Sequence, residues 1–577
     1  MDGARARPRG HPGARGAAGE PGSERRHEPG QGLEGPVLNL NGFDADGRDA
    51  ILRKLPDRYD IIVIGAGING CGIALEAAGR GYRVLLLEQG DVGSGTSSRS
   101  SRLIHGGLRY LRDGKIRLVR EASRGRHWLR THYPHLVKPL RFLVPYFEGE
   151  GRHWITRIGL WFYDYLSGYT NVGRHRKLTP REVVAAEPRL RRDGLLGGAF
   201  YYDCWTDDFR LVLLNAKMAF DAGAHILTYA RVEELLWEDG RVVGVAFRDT
   251  LGNGPYEARS DVVINATGPW SDGLRQMATR VPRMRPTKGV HLFLPRTQVA
   301  NMNAVVMRSP QDRRYVFALP WRSLTLVGTT DTDHQGAPED VRTEPEDVDY
   351  LLEAVNDTFP LARAEPGDVV SSYAALRPLA ARLGVPESSV SRRERIIRDA
   401  PGLVTLIGGK LTTYPSVVRR VMRRAIRDLR SAPKGEAWQP PAVVPEGEER
   451  GRKRGMTLGL GRETLDHLTQ AFGLELPELY ANLEEEGAFR DAMTPDLPYL
   501  RGEAVYAVRH EMALRLEDVL ARRTRVMQED PNHGLRVAGD VARLMAPHLG
   551  WDSERIAEEV ALYRATVAAN EAFREEA

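Results

Sequence analysis

The sequence predicts an α/β protein with a C-terminal all-helical domain, and three features lead to this fold class. A short, β-branched apolar run at residues 59–64 enters a glycine-rich turn and then an Ala-rich helical stretch, as expected of a buried strand in a βαβ unit. Between about residues 284 and 370, apolar and polar residues alternate, which favours an antiparallel sheet in a second domain. From residue 453 onward the pattern is nearly all helical.

Composition limits the classes of function that remain. A chain of 577 residues is too long for one ordinary core, so we expect two or three domains. The chain has 82 basic and 77 acidic residues, and therefore a net charge of only +5. Because the basic residues are dispersed among nearly as many acidic ones, the composition argues against nucleic-acid binding. The two cysteines form no CxxC pair, so we expect neither a disulfide framework nor a zinc site. No apolar run approaches the length of a membrane span, so any membrane contact is expected to be peripheral.

The first βαβ unit contains the pattern Gly65-x-Gly67-x-x-Gly70, and its second strand ends at Glu88. Together these predict a Rossmann-like dinucleotide site. The glycines let the backbone approach a pyrophosphate at a helix N-terminus, and Glu88 can bind the ribose hydroxyls. The alternative is a glycine-rich turn in an unrelated α/β protein.

A serine-rich loop at residues 93–102 follows this unit and is dense in hydroxyl groups and backbone donors. Such a loop can wrap the phosphates and flavin of FAD, so we expect Thr96, Ser97 and Ser98 to bind the cofactor. The alternative is a surface loop without a ligand. Buried strands near residues 262–268 and 403–409 also end in glycine turns. To the same cofactor we assign Gly268, Gly409, Lys410, Leu411 and Thr412.

Seven segments in order along the chain resemble FAD-dependent glycerol-3-phosphate dehydrogenases. They are SSRLIHGGLRYL at 100–111, YDCWTDD at 202–208, NATGPW at 265–270, KGVH at 288–291, GTTD at 328–331, LRPL at 376–379 and GGKLTTY at 408–414. The resemblance implies FAD, oxidation of sn-glycerol 3-phosphate to dihydroxyacetone phosphate, and a fold like that of the amino-acid oxidases. No flavinylation motif is evident in the sequence, so we expect the FAD to be noncovalent.

The same resemblance implies the residues that contact the substrate, which are Arg109, Tyr110, Arg377, Arg392 and Lys410. Arginine and lysine suit a phosphate dianion, because their charge-assisted hydrogen bonds fix its position. We expect Arg377 to stabilise the alkoxide or the phosphate, and we place Lys410 with it among the catalytic residues. Glu394 departs from the family pattern beside Arg392, which leaves Arg393 as an alternative.

His105 is our candidate for the proton acceptor, since an imidazole titrates near the operating pH. Its alternative role is to pack under the flavin. Asp207 and Asp208 have no His or Glu at metal-ligand spacing, so we expect helix capping or salt bridges there and no bound metal.

The implied electron acceptor is a membrane quinone, with the protein in the cytoplasm and peripherally bound to the inner face of the cell membrane. Residues 152–163 combine aromatic and basic side chains as an interfacial helix does, although a core helix is the alternative. Other functions left open are a glycerol-3-phosphate oxidase that uses oxygen, an amine or amino-acid oxidase, and a non-catalytic flavin-binding protein. Homo-oligomerisation is possible.

We divide the chain into a disordered tail at 1–50, an oxidoreductase region at 55–430, a linker at 431–452 and a helical domain at 453–577. Within the oxidoreductase region, the predicted FAD-binding segments are 55–145, 190–283 and 371–430, and the predicted substrate-domain segments are 146–189 and 284–370. In the helical domain, one helix is expected over 503–523, with an ion pair between Glu511 and Arg515.

Overall fold

A computed structural model describes residues 40–107, 114–149, 153–252, 254–279, 284–380, 394–430, 435, 438 and 445–574. The strands in these residues are β1 (Tyr59–Ile64), β2 (Val84–Leu87), β3 (Leu103–Ile104), β4 (Lys138–Phe147), β5 (Arg176–Leu178), β6 (Leu195–Trp205), β7 (His225–Leu227), β8 (Ala230–Glu238), β9 (Arg241–Asp249), β10 (Pro255–Asn265), β11 (Thr287–Pro295), β12 (Ala304–Arg308), β13 (Tyr315–Trp321), β14 (Leu324–Gly328), β15 (Thr332–Asp333), β16 (Ser371–Arg377), β17 (Arg395–Ala400) and β18 (Leu403–Ile407).

The α-helices of the described residues are α1 (Ala45–Arg53), α2 (Ile68–Gly79), α3 (Ile116–His132), α4 (His153–Ser167), α5 (Pro180–Ala186), α6 (Asp208–Asp221), α7 (Ser271–Gln276), α8 (Arg296–Val299), α9 (Pro345–Thr358), α10 (Tyr414–Ala425), α11 (Pro445–Thr457), α12 (Arg462–Phe472), α13 (Leu476–Glu485), α14 (Arg501–His510), α15 (Val526–Glu529), α16 (Ala538–Leu549) and α17 (Ser553–Glu571). A π-helical segment, Asp518–Arg523, precedes α15.

The first sheet confirms the predicted Rossmann-like unit. Its strand order is β17-β18-β10-β1-β2-β7, with the β8–β9 hairpin joined through β10. Strands β18, β10, β1, β2 and β7 run parallel, so their carboxyl ends meet at one edge, where ligands of such sheets bind. Helices α2, α6 and α10 contribute buried apolar residues to the core on one face.

The second sheet has ten strands in the order β15-β11-β14-β13-β12-β4-β6-β3, with β16 beside β11 and β5 beside β6. It is antiparallel except for the β4–β12 pair, in keeping with the predicted antiparallel domain. However, β6, β16 and all but the last two residues of β4 lie in the segments 55–145, 190–283 and 371–430 that the sequence suggested for FAD binding. Their placement corrects those bounds, because strand pairing is decided by partners distant in sequence, such as Phe142 stacked on Tyr201 at 4.9 Å.

Regular structure begins earlier than the predicted start near Leu55, and the tail bound of 1–50 is wrong at its end. Helix α1 starts at Ala45, where the Asp44 side chain accepts a hydrogen bond from the Gly47 N–H. Phe43 is fully buried and packs on Phe220 with ring centroids 5.1 Å apart. This order comes from tertiary contacts, which a Gly- and Asp-rich segment does not reveal.

The C-terminal region is helical as predicted, but it is packed into the rest of the molecule, and Gly35–Ala577 form one compact unit. The single helix expected over 503–523 is wrong, since α14 ends at His510 and the π-helical segment starts at Asp518. The expected pair of Glu511 with Arg515 is also wrong, because Glu511 turns inward to Arg210. None of the described helices has both the length and the apolar character needed to cross a bilayer.

Candidate active site

The glycine turn after β1 depends on close backbone contact. A Cβ atom on Gly70 would lie 1.7 Å from the Gly65 carbonyl oxygen, so a larger residue there would force the turn apart. Gly65 itself has a φ of +100°, a conformation that favours glycine. Gly67 is the N-cap of α2, so N–H groups at the positive end of that helix border the cleft.

Glu88 lies at the end of β2, where the sequence predicts a ribose-binding carboxylate. One oxygen accepts a hydrogen bond from the Ala66 N–H at 2.7 Å, and the other accepts from the Gly90 N–H at 3.0 Å. Burial raises the pKa of the Glu88 carboxyl, while these backbone donors oppose the rise. Each oxygen keeps a lone pair, so the fixed carboxylate can still accept from sugar hydroxyls.

A cleft of about 430 Å³ extends from the glycine turn to the carboxyl ends of β10 and β18. It is lined by most of the predicted cofactor residues, which are Gly65, Gly67, Glu88, Thr96, Ser97, Gly268, Gly409, Lys410 and Leu411. The other three lie just outside this lining: Gly70 shapes the turn, Ser98 faces a separate small cavity, and Thr412 bonds to the His105 backbone. Sequence reasoning missed Asn69 and Trp270, which also line the cleft.

The residues of the cleft fit FAD. Helix N–H donors would hold a pyrophosphate and Glu88 would hold a ribose. The buried Oδ1 atom of Asn69 has no hydrogen-bond partner in the described residues. Asn69 also approaches the far wall, since a Cβ on Gly409 would lie 2.5 Å from its Nδ2 atom. A ligand with polar groups along its length would satisfy such a site.

The serine-rich loop connects this cleft to the second sheet. The Ser97 hydroxyl oxygen accepts a hydrogen bond from the Ile68 N–H at 3.1 Å, at the start of α2. The Thr96 hydroxyl donates to the Leu376 carbonyl oxygen on β16 at 2.7 Å. The loop therefore sets the position of the two sheets relative to each other at the site.

Arg377, at the end of β16, is held in a single orientation. Its Nη1 atom donates to Asp331 Oδ1, and its Nη2 atom donates to Thr329 Oγ1, both at 2.9 Å. A Cβ on Gly289 would lie 2.4 Å from Nη2, so glycine is needed there for the guanidinium to pack. The side chain remains 25% exposed, which leaves it accessible to an anion.

His291 is a site residue that sequence reasoning quoted within a motif but did not select. Its Nε2 atom lies 2.8 Å from the Ser101 hydroxyl, and it is buried on β11. Burial, with help from the charges of Arg377 and Arg102, lowers the pKa of His291 to about 3. The imidazole is therefore neutral at physiological pH. The KGVH and SSR motifs could have suggested this contact, but pairing them requires the fold.

Lys410 lines the cleft, His105 and Arg377 lie beside cleft-lining segments, and the catalytic roles of all three stay predictions. The His105 N–H donates to the Thr412 hydroxyl at 3.1 Å, two residues beyond Lys410. Pro378, next to Arg377, lines the cleft together with Lys410. Three predicted substrate residues, Arg109, Tyr110 and Arg392, lie outside the described residues.

The fold and cleft define an FAD-dependent oxidoreductase, and comparison with known proteins agrees. Residues 60–413 match the family described as "FAD dependent oxidoreductase", and residues 404–556 match the "C-terminal domain of alpha-glycerophosphate oxidase". The chain is 37% identical over 533 residues to glycerol-3-phosphate dehydrogenase 2 of Mycobacterium tuberculosis (strain ATCC 25618 / H37Rv), covering 89% of this chain and 88% of that protein.

Two further relatives extend the match along nearly the whole chain. The aerobic glycerol-3-phosphate dehydrogenase of Bacillus subtilis (strain 168) is 34% identical, covering 89% of this chain and 95% of its own. The crystal structure of the glycerol-3-phosphate dehydrogenase from Bacillus halodurans complexed with FAD has a TM-score of 0.75 at 29% identity, covering 92% and 98%. The chain belongs to the FAD-dependent glycerol-3-phosphate dehydrogenase family.

Proposed function

We propose that the protein oxidises sn-glycerol 3-phosphate to dihydroxyacetone phosphate and passes the electrons, through FAD, to a membrane quinone. The observation that carries this proposal is the placement of Arg377, a fixed and accessible guanidinium beside His291 at the end of the flavin cleft. The names of the relatives support the substrate.

Arg377 and Lys410 would provide the anion-binding part of the site. The guanidinium of Arg377 is already oriented by Asp331 and Thr329, so substrate binding does not have to fix this side chain. Lys410 follows β18 and adds a second cation at the same end of the cleft. Arg109, Tyr110 and Arg392 stay proposed contacts.

Bound FAD supplies the hydride acceptor for this chemistry. The chain itself must hold the secondary alcohol, exclude water and accept the hydroxyl proton. We assign the proton to His105, since the low pKa of His291 makes it a poor proton acceptor. The neutral His291 imidazole instead holds the Ser101 hydroxyl in place.

Two variants separate these roles. In His105→Gln, flavin reduction by substrate should slow by about 10²- to 10⁴-fold, as for loss of a general base. In His291→Gln, the amide can keep a hydrogen bond to Ser101, so the loss should be much smaller. A His105→Gln enzyme that reduces its flavin at the wild-type rate would exclude His105 as the base.

Contact with the membrane is proposed from helix α4. Leu160 and Tyr163 on one face are buried, whereas Trp161 is 57% exposed and Tyr165 is 67% exposed. These two rings stack with centroids 5.8 Å apart, and Phe162 lies beside them. Exposed aromatic side chains grouped on one helix suit the interface of a bilayer, where a quinone would be met.

A glycerol-3-phosphate oxidase is the second candidate, favoured by the match of residues 404–556 to the C-terminal domain of alpha-glycerophosphate oxidase. It would pass the electrons to oxygen in place of a quinone. The two candidates therefore differ in the reoxidation of the enzyme and share the reduction step.

The test is anaerobic reduction of the purified protein by sn-glycerol 3-phosphate. The reaction is monitored through the absorbance of the oxidised flavin. Rapid bleaching is expected, with faster reoxidation by a soluble quinone analogue than by oxygen. Faster reoxidation by oxygen would establish the oxidase. Bound flavin that stays oxidised would overturn the substrate and support a non-catalytic flavin protein or an enzyme for another substrate, such as an amine or amino acid.

A further inference from the structure

The C-terminal residues 518–525 bring three arginines into the interior behind the serine-rich loop. Arg522, Arg523 and Arg525 are all buried, although an arginine is among the costliest side chains to remove from water. Each pairs with acidic side chains: Asp91 after β2, Asp207 and Asp208 after β6, or Asp518 of the same segment. The arrangement therefore places strong, directional contacts behind the cofactor cleft.

One set of these contacts holds Gly90 and Asp91, just before the serine-rich loop. Asp91 accepts a hydrogen bond from Arg522 Nε at 2.6 Å and another from Arg523. Asp518 accepts from the Tyr229 hydroxyl at 2.6 Å, and the Tyr229 N–H donates to the Gly90 carbonyl oxygen. The C-terminal segment thus fixes the backbone immediately after the proposed ribose carboxylate.

A second set holds the far end of the loop through Arg525. Its Nη2 atom lies 2.8 Å from both Asp207 Oδ1 and Asp208 Oδ1. The other oxygen of Asp208 accepts from the Ser100 N–H at 2.9 Å and from the Ser100 hydroxyl at 2.7 Å. Arg525 also donates to the Ser98 carbonyl oxygen at 3.4 Å. The orientation of one carboxylate therefore links Arg525 to the loop.

The chain of contacts continues from the loop to the substrate end of the site. The Ser101 hydroxyl lies 2.8 Å from His291 Nε2, and the Tyr373 hydroxyl donates to the Ser100 carbonyl oxygen at 2.6 Å. The rings of His291 and Tyr373 are 5.1 Å apart. A shift of Ser100 would therefore move the partner of His291 as well.

We propose that Arg525 is a positioning residue for the flavin site, acting through Asp208 on Ser100 and Ser101. The C-terminal region is then part of the cofactor site, because it sets the geometry of the loop that borders FAD. The test of FAD binding requires only that the protein binds FAD, as its family does. The test of turnover rests on the proposed function.

Arg210 provides a matched control within the same interface. Its side chain and that of Arg525 are both 4% exposed, and Arg210 pairs with Glu511 and donates to the Arg523 carbonyl oxygen. It joins helix α6 to the C-terminal region through residues outside the serine-rich loop. Arg210→Met should lower stability as Arg525→Met does, with the loop contacts intact.

The experiment measures FAD affinity by flavin fluorescence, the visible spectrum of bound flavin, the thermal midpoint, and kcat and KM at saturating FAD. Arg525→Met should weaken FAD binding by about 10- to 100-fold, as for outer-shell partners of a bound metal. It should also shift the flavin spectrum and lower kcat more than it raises KM. Arg525→Lys keeps the charge and should recover part of each loss.

Stability separates a positioning role from a purely structural one. If both methionine variants have the same midpoint and the same FAD affinity, spectrum and kcat, the proposal is wrong. Should Arg525→Met not fold, Arg525→Lys measured against Arg210→Lys decides in the same way. A wild-type protein that binds FAD but is not reduced by glycerol 3-phosphate would overturn the proposed function, and the affinity and spectra would still test Arg525.

Discussion

The flavin cleft and the buried interface behind it are specified by different kinds of information. In the cleft, the Ala66 N–H and the Glu88 carboxylate are 22 residues apart, and the glycines that shape the turn lie beside them. In the interface, Arg523 and Asp91 are 432 residues apart. The first set can be recognised as a motif, whereas the second exists only in the folded chain.

The comparison shows that two charged networks at one site can differ in purpose. Arg377 stays partly exposed at the end of β16, where an anion can reach it. Arg522 and Arg523 are enclosed by carboxylates, and such pairs specify position more than they add stability. We therefore expect substitutions in the interface to change stability or geometry, and substitutions in the cleft to change chemistry.

The largest effect is expected from Glu511→Gln. Glu511 Oε1 lies 2.7 Å from Arg210 and 3.5 Å from Lys217, so the change leaves buried Arg210 without its carboxylate and Lys217 with Glu475 alone. Removing one partner of a buried pair costs about 3–5 kcal/mol of unfolding free energy. Urea denaturation of the holoprotein measures this loss. Glu485→Gln is the control, because Glu485 forms an exposed ion pair with Arg509. A loss below about 1 kcal/mol, the range of exposed pairs, would contradict the proposed role of the interface.

In the cleft, Arg377→Met should lower kcat/KM for glycerol 3-phosphate by about 10²- to 10³-fold, since a charged donor to the reacting group is lost. FAD affinity and the thermal midpoint should change little. Stopped-flow reduction of the flavin provides the rate, and Arg248→Met, which removes an exposed pair with Glu233, is the control. Near-normal reduction in Arg377→Met would show that another residue binds the anion.

His291 should make stability depend on pH. Its pKa of about 3 lies below the ordinary value of 6.5, so the unfolded chain takes up this proton first and stability falls as pH drops from about 6.5 towards 3. With a pKa of about 3 in the folded protein, His291 should lower the free energy of unfolding by about 2–3 kcal/mol between pH 7 and pH 4.5. His291→Gln should show a flatter profile in denaturation at both pH values, whereas His334→Gln, at a partly exposed position, should match wild type. Equal slopes in all three would mean that His291 is not buried as a neutral ring.

The smallest effect concerns the aromatic surface of α4. Trp161→Ser and Tyr165→Ser should each weaken sedimentation with anionic liposomes by about tenfold, since burying an aromatic ring contributes about 1–2 kcal/mol. Leu562→Ser, another exposed apolar residue, should bind vesicles as wild type does. Unchanged binding of both α4 variants would place the membrane contact elsewhere.

Much of the cofactor cleft could be predicted, because each element there obeys a local rule. Gly70 must lack a Cβ, and Glu88 must close a strand, whatever the rest of the chain does. For Asp207 the sequence predicts helix capping or a salt bridge, and its carboxylate accepts from the Arg210 N–H and pairs with Arg525. Glu511 was misassigned for the opposite reason, since its spacing to Arg515 suited a surface pair and its true partner is 301 residues away.

By itself, the sequence determined the fold class, the glycine turn, the cofactor and the family. The fold class and the glycine turn follow from periodicity and motifs, in which neighbouring residues obey one geometric demand. The family, and the FAD that it implies, follow from the resemblance of seven segments along the chain. Only the tertiary structure decided that β4, β6 and β16 join the second sheet, that His291 meets Ser101, and that Arg525 reaches the flavin loop. Those contacts join distant segments, and a buried charge becomes distinguishable from a solvated one only when folding has removed its water.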